Sequence, residues 1–349
     1  MAARQLPKTM RKIVAFQFSP KFRESTKITE VPVPTPGPSE VLVRNRYVGI
    51  NASDINYTAG RYDQTLKLPF DTGFEGIGEV VGVGDGSKLK IGQTVIYLNY
   101  GAFSEYKTVK NVIPLPSLKA EFLPLILSGL TASISLDKVG EIKSGETVLV
   151  TAAAGGTGQF AVQWAKNAGC HVIGTCSSDE KVDFLKSIGC DRPINYKTEV
   201  LKDVLKAEYP KGIDVIYESI GGEMFDTCVN SLAVKGRLII IGYISGYETQ
   251  KGFTPSRLAT LPQKLLPISA SVRGFFLFNW SKDYSEYMMK LIQLLAENKI
   301  MSVVDNGQSV KPGGFKGLDD ISDAIEYMYS GKNKGKIVVE IPEKLNSQL

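Results

Sequence analysis

At 349 residues the chain is long enough for two domains sharing a core, and its 43% hydrophobic and 22% charged residues are those of an ordinary globular protein. The net charge of +5 is scattered, with no basic block interleaved with aromatics, which argues against a nucleic-acid binder; no run of about 18 apolar residues suggests a membrane span. Four cysteines without C-x-x-C spacing and one histidine, His171, supply neither the three ligands of a catalytic zinc nor the four of a structural one, so no metal is expected and the thiols read as reduced, in an intracellular protein.

To about Ile13 the chain is polar and carries Arg4, Lys8, Arg11 and Lys12 with no acid; a frayed terminus is the expectation and a vestigial basic targeting peptide the alternative. From Val14 to Val112 short apolar runs (Val41–Val43, Gly78–Val83, Thr94–Tyr97) alternate with Gly, Pro, Asn and Asp, which predicts strands, while Pro32–Pro38 reads as an extended connection. Phe122–Leu127 reads as buried strand or packed turn. From about Gly129 strand and helix alternate: strand Thr147–Thr151, helix Gly156–Ala168, strand His171–Thr175, helix Glu180–Ile188 stopped by Gly189, strands Val215–Tyr217 and Arg237–Gly242 around another helix, then helix Asp283–Asn298 and a last strand Lys336–Ile341. That alternation predicts an α/β class with a doubly wound parallel sheet.

Between the strand Thr147–Thr151 and its helix lies Ala153-Ala-Gly155-Gly-Thr157-Gly158, an A-x-G-x-x-G form of the dinucleotide fingerprint. Gly155 lets backbone approach a pyrophosphate, Gly158 allows tight helix–strand packing, and the helix N-terminus presents N–H groups to phosphate. The next strand runs into Cys176-Ser177-Ser178-Asp179-Glu180-Lys181, with hydroxyls at its tip and a lysine one helical turn on. An acid that would hold ribose hydroxyls is missing from the strand end, which favours a 2′-phosphate and NADPH; the plainer alternative is that Ser178 or Asp179 caps a helix and Lys181 is solvated.

These residues, with Asn51-Ala-Ser-Asp-Ile-Asn56, Gly73-Phe-Glu-Gly-Ile-Gly-Glu-Val80, Gly129-Leu-Thr-Ala132 and Asn333-Lys-Gly-Lys-Ile337, fall in one order along nearly the whole chain. In that order they resemble the zinc-free quinone and enoyl reductases of the medium-chain dehydrogenase/reductase family. The resemblance implies a GroES-like, mostly-β catalytic domain (1–129 and 285–349) and a Rossmann NADPH-binding domain (130–284). Zinc-dependent members carry Cys where this chain has Asn51 and His where it has Phe74. Cofactor contacts implied by the resemblance are Thr157 at the pyrophosphate, Ser177, Lys181 and Tyr196 around the 2′-phosphate, Ser219, Ile241, Tyr247, Phe275, Phe276 and Leu277 on the ribose and nicotinamide side, and Asn333 from the tail. Each residue has an ordinary structural alternative as core, strand-edge aromatic or turn.

Without a metal, alcohol oxidation lacks anything to acidify the hydroxyl, whereas an activated double bond needs only an oriented hydride and hydrogen bonds to the carbonyl oxygen. Tyr62, Tyr57 and Asn51 are the candidate donors, Tyr62 first because related enoyl reductases carry a tyrosine there. The implied reaction is reduction of lipid enones such as 15-keto-prostaglandins; quinone reduction and a non-catalytic NADPH-binding scaffold are the alternatives. A homodimer through the sheet edge near Ser269–Gly274 is expected. The terminal Ser347-Gln348-Leu349 resembles a peroxisomal address, which implies an import receptor and a peroxisomal location, with cytoplasm as the alternative.

Overall fold

In the computed structural model, which describes residues 6–63 and 65–343, pairing begins almost at once. Strand β1 (Thr9–Ala15) runs antiparallel along its whole length to β2 (Thr26–Pro32) and buries Met10, Ile13, Val14 and Ala15. The stretch read as a frayed end is therefore structural from Thr9. Its cations are engaged, Arg11 by Glu105 and Asp319 at 3.0 Å each and Lys12 by Asp71 at 2.7 Å.

The expected strands follow: β3 (Val41–Gly49), β4 (Phe70–Asp71), β5 (Glu75–Val83), β6 (Thr94–Leu98), β7 (Tyr106–Val109) and β8 (Ile113–Pro114). Helix α1 (Ser53–Thr58) leads out of β3. Val41, Val43, Val80, Val95, Tyr97, Ala102 and Val109 form one core cluster, as expected of strands whose alternate residues face inward.

Phe122–Leu127 is neither strand nor turn. It lies in a 20-residue helix, Ala120–Val139, with π-helical turns at Leu125–Gly129 and Ser135–Val139. Pro124 sits near its start, where a missing N–H costs little, so it does not break the helix. Length and composition alone would let this helix cross a membrane, yet 78% of its most apolar stretch is buried inside the protein, as in a core helix.

Beyond it come β9 (Thr147–Val150), α2 (Gly158–Asn167), β10 (His171–Cys176), α3 (Asp179–Ser187), β11 (Arg192–Asn195), α4 (Leu201–Glu208), β12 (Ile213–Glu218), α5 (Gly222–Asn230), β13 (Leu232–Ile240), β14 (Ser271–Gly274) and α6 (Tyr284–Ala296). The six strands are parallel in the order β11-β10-β9-β12-β13-β14, the doubly wound Rossmann order, which reverses between β9 and β12. Leu149, Ile173, Ile194, Ile213, Ile216 and Leu238 are fully buried at its centre.

The chain then returns through β15 (Val304–Asp305), helix α7 (Ile321–Tyr329) and β16 (Lys336–Glu340), which pairs antiparallel with β3. This gives a GroES-like seven-stranded sheet, β15-β16-β3-β5-β6-β8 with β7 on β3, beside the three-stranded sheet β2-β1-β4. The first compact unit ends at Ile126 and resumes at Val304; the second is Leu127–Val303. The later boundary lies beyond the expected one at 284/285 for a clear reason. Gln163 and Gln159 of α2 use both ends of their buried side-chain amides to hold the backbone of Met301 and Val303, at 2.6–2.9 Å. That pairing ties the segment after α6 to the second unit.

Candidate active site

Within the second unit, the cofactor residues named from sequence gather beyond the carboxyl ends of the parallel strands, where a doubly wound sheet binds ligands. After β9 the chain turns sharply, with Ala152 at φ 48° and its N–H donating to Thr175 Oγ1 at 3.2 Å. A Cβ at Gly158 would fall 2.4 Å from the Ala152 carbonyl oxygen, so only glycine closes this turn. At Gly155 the nearest atom would be 3.2 Å away, leaving its outer side open. Helix α2 starts at Gly158 with Thr157 before it and, among the described residues, no side chain capping it. Its first N–H groups and the positive end of its dipole suit a pyrophosphate.

At the tip of β10 the helix cap expected as the plainer alternative is present. Ser178 Oγ accepts from Lys181 N and caps α3, while the nearby acid, Asp179, accepts from Asn195 Nδ2 at 2.8 Å. Ser177 and the Lys181 side chain are half-buried beside that cap. Tyr196 N donates to Cys176 O at 3.1 Å, which holds the half-exposed Tyr196 at the end of β10.

On the other side of the sheet, Ser219 follows β12 and its amide donates to Thr151 Oγ1 at 2.8 Å. Ile241 N donates to Glu218 O at 2.8 Å and Ile244 N to Ser219 O at 3.1 Å, so the loops after β12 and β13 are laced together. Tyr247 is buried, with its hydroxyl accepting from Tyr243 N. Phe275 N donates to Ile240 O at 3.0 Å and its ring stacks on Trp280; Leu277 is buried and Phe276 is 40% exposed. Ser219 Oγ is buried without a hydrogen-bond partner. A buried hydroxyl left unpaired at the switch point and a glycine cradle with open space fit a dinucleotide well. Asn333 belongs to the first unit, in the turn before β16, where its amide donates to Gly335 O at 3.1 Å.

The first unit holds the other candidates. Tyr57 on α1 is buried, stacks on Tyr100 at 4.5 Å and 11°, and meets Phe70 and Phe74 at 5.1 and 5.4 Å. Burial holds its phenol neutral, well above the ordinary tyrosine range. The Tyr62 hydroxyl accepts from Asn56 Nδ2 at 3.3 Å, and Asn56 is itself held by Arg61 at 2.9 Å.

Asn51 departs from expectation. It was read as a donor to substrate, but its amide is spent: Oδ1 accepts from Lys336 Nζ at 2.5 Å and Nδ2 donates to Glu75 Oε1 at 3.0 Å. Lys336 and Glu75 form an ion pair at 2.5 Å, 3% and 0% exposed. Gly49 is glycine because a Cβ there would meet that carboxylate at 2.3 Å. Asp54 completes the cluster by accepting from Asn51 N at 2.8 Å; desolvation pushes its carboxyl up to about 8. Of this cluster the sequence gives a role only to Asn51; Asp54, Glu75 and Lys336 stand in the quoted motifs without one. Lys336 lies 285 positions away along the chain, and only the β16–β3 pairing brings it in.

Comparison with known proteins follows the same division. An alcohol dehydrogenase GroES-like domain profile matches residues 37–117, and a zinc-binding dehydrogenase profile matches residues 156–294. The chain is 55% identical over 349 residues to prostaglandin reductase-3 of Mus musculus, covering 99% of this chain and 93% of that protein. The chain belongs to the medium-chain dehydrogenase/reductase family. It is also 43% identical over 342 residues to a probable quinone oxidoreductase of Leishmania amazonensis, covering 96% and 99% of the two chains. Among solved structures it matches Escherichia coli quinone oxidoreductase complexed with NADPH, with a TM-score of 0.81 at 29% identity over 95% and 99% of the chains.

As a medium-chain dehydrogenase/reductase member it carries a profile named for zinc, and its residues do not fit that metal. Where the family's zinc ligands would stand are an amide and a phenyl ring, and a buried ammonium already engages Asn51 Oδ1 and Glu75 Oε1. Among the described residues no three His, Cys, Asp or Glu side chains gather as a ligand set.

Proposed function

We propose that this chain reduces the carbon–carbon double bond of α,β-unsaturated ketones with NADPH, with lipid enones of the 15-keto-prostaglandin type as preferred substrates. The bound nicotinamide supplies a hydride. In conjugate reduction that hydride joins the β-carbon, the double-bond electrons move onto the carbonyl oxygen, and a proton at the α-carbon completes the saturated ketone.

The observation that carries this reading is the buried Asn51–Lys336–Glu75 cluster. Where zinc-dependent members hold a Lewis acid, this chain has a neutralised ion pair. Activation then falls to neutral O–H donors, which suits a carbonyl already conjugated to the bond being reduced. Tyr62, with its oxygen occupied by Asn56, is the first such donor and Tyr57 the second. The aromatic rings of Tyr57, Tyr100, Phe70 and Phe74 supply apolar surface for a lipid chain. The relatedness to prostaglandin reductase-3 supports the same substrate class.

Quinone reduction is the second reading, favoured by the Leishmania relative. NADPH oxidation by the purified protein should be faster with a 15-keto-prostaglandin than with an ortho-quinone, giving the saturated ketone; preference for the quinone would move the function to the second reading. The protein is further proposed to act as a homodimer in peroxisomal lipid metabolism. The terminal Ser347-Gln348-Leu349 behind that location lies outside the described residues. A fluorescent reporter carrying the last dozen residues should collect in peroxisomes, and a diffuse signal would overturn the location.

A further inference from the structure

Strand β12 ends in a carboxylate that the cofactor assignment leaves unused. Glu218 is fully buried, and no cation pairs with it among the described residues. Its side chain folds over the turn that follows: Oε1 accepts from Ile220 N at 2.7 Å and Gly221 N at 3.0 Å, and Oε2 from Gly221 N at 3.2 Å. Its own carbonyl accepts from Ile241 N. The turn needs this support because Gly221 and Gly222 both have positive φ, 79° and 57°, and the next helix begins at once. With the Ser219 amide held by Thr151, three successive N–H groups are turned inward, and the unpaired Ser219 hydroxyl remains at the turn.

We propose that Glu218 is a positioning residue for the nicotinamide half of the cofactor: its ionised carboxylate holds the 219–222 turn in the form that presents Ser219. The inference rests on Ser219 facing the cofactor and is independent of which substrate is reduced. A carboxylate anion accepts these N–H bonds more strongly than a neutral acid does, and burial pushes Glu218 up to about 7. The turn should therefore loosen as pH falls through neutrality. The ionisable groups on the elements packed against it are few. Cys228 of α5, whose thiol burial raises, faces it; Glu223 of α5 is exposed and Asp226 accepts from Arg257 N. Strand β9 has no ionisable side chain, Arg237 of β13 stands opposite Val215 and is bonded to Glu146, and Tyr243 packs on Gly221.

The test measures NADPH binding by nicotinamide fluorescence on the full chain between pH 5.5 and 8.5. Adenosine 2′-phosphate serves as a probe of the adenine half, and its one phosphate shares the titration of the cofactor's 2′-phosphate near pH 6. The ratio of the two affinities isolates the nicotinamide side. In the wild type that ratio should fall as the pH is lowered from 8 to 6. In Glu218→Gln, which places an N–H donor against the backbone donors, it should be about 10-fold lower at pH 8 and flat with pH, with adenosine 2′-phosphate affinity unchanged. Glu218→Asp keeps the charge, so it should keep the pH dependence at reduced affinity, and it stands in if the Gln variant fails to fold. A Glu218→Gln protein with wild-type NADPH affinity or wild-type pH dependence would overturn the proposal, as would equal loss of both ligands or a flat profile in Glu218→Asp.

Discussion

Lys181 and Tyr62 are each a polar side chain whose neighbours decide what it can do. At the tip of β10 the acid is drawn aside, since Asp179 accepts from Asn195, and the Ser178 cap fixes the first turn of α3, which carries Lys181. A lysine there would distinguish a 2′-phosphate from a 2′-hydroxyl, the role proposed for Lys181. Lys181→Ala should weaken NADPH roughly 10- to 100-fold, as expected for one charge-assisted bond, and barely change NADH; titration of both cofactors checks this, and equal losses would remove the 2′-phosphate assignment. Tyr62 is set by Asn56, whose amide donates to its oxygen. Tyr62→Phe should lower kcat with an enone by about 10²–10³, the usual cost of losing one donor to a developing oxyanion, and leave NADPH affinity as it was. A variant with unchanged kcat would hand that role to Tyr57.

Among the elements, β14 is short and lies at the edge of the parallel sheet, with β13 on its inner side. Edge strands offer unpaired backbone groups, and proteins either protect them or use them for assembly. The residues leading into β14 make an apolar hollow of Pro262, Leu265, Leu266, Ser269 and Ala270, with Leu266 82% exposed. A second copy pairing along β14 would bury that leucine, which is the physical content of the proposed dimer. Leu266→Lys should give a monomer by light scattering after size-exclusion chromatography while leaving NADPH binding intact; a wild-type protein that is already monomeric would end the dimer proposal. The buried helix Ala120–Val139 shows the reverse case. Its apolar surface is covered by the protein itself, so composition alone gives the wrong impression of what it contacts.

For the molecule as a whole, two buried carboxyls govern how stability follows pH. Asp54 is pushed up to about 8 and Glu218 to about 7, both by desolvation. In the unfolded chain such groups titrate near 4, so between about pH 4 and these values the folded state binds more protons than the unfolded one. Their contribution is fully present below the unfolded pKa and is lost as pH rises through 7 and then 8. Glu146 and Asp191, held below the ordinary range chiefly by Arg237 and Lys166 once burial is overcome, act oppositely: their contribution is lost as pH falls through the carboxylate range. The Tm should therefore decline from pH 5 to 8.5, and Asp54→Asn should flatten the part of that decline above pH 7. An unchanged slope in the variant, followed by calorimetry, would show that Asp54 is ionised throughout.

Local pattern determined much of this protein. Alternating apolar runs, the A-x-G-x-x-G turn and the strand–helix rhythm are properties of neighbouring residues, so the parallel sheet, the glycine cradle and the hydroxyl-and-lysine tip at Ser177 and Lys181 could be read from the sequence. Other features were decided only by tertiary contacts. Residues from Thr9 became strand because β2 pairs with them along their whole length, with Arg11 and Lys12 held by Glu105, Asp319 and Asp71. The second unit extends to Val303 because two glutamines of α2 grip backbone about 140 residues away. Asn51 lost its expected role because β16 carries Lys336 beside it. In each case the deciding partner is distant along the chain, and a buried polar group takes its meaning from whichever partner the fold brings within hydrogen-bond reach.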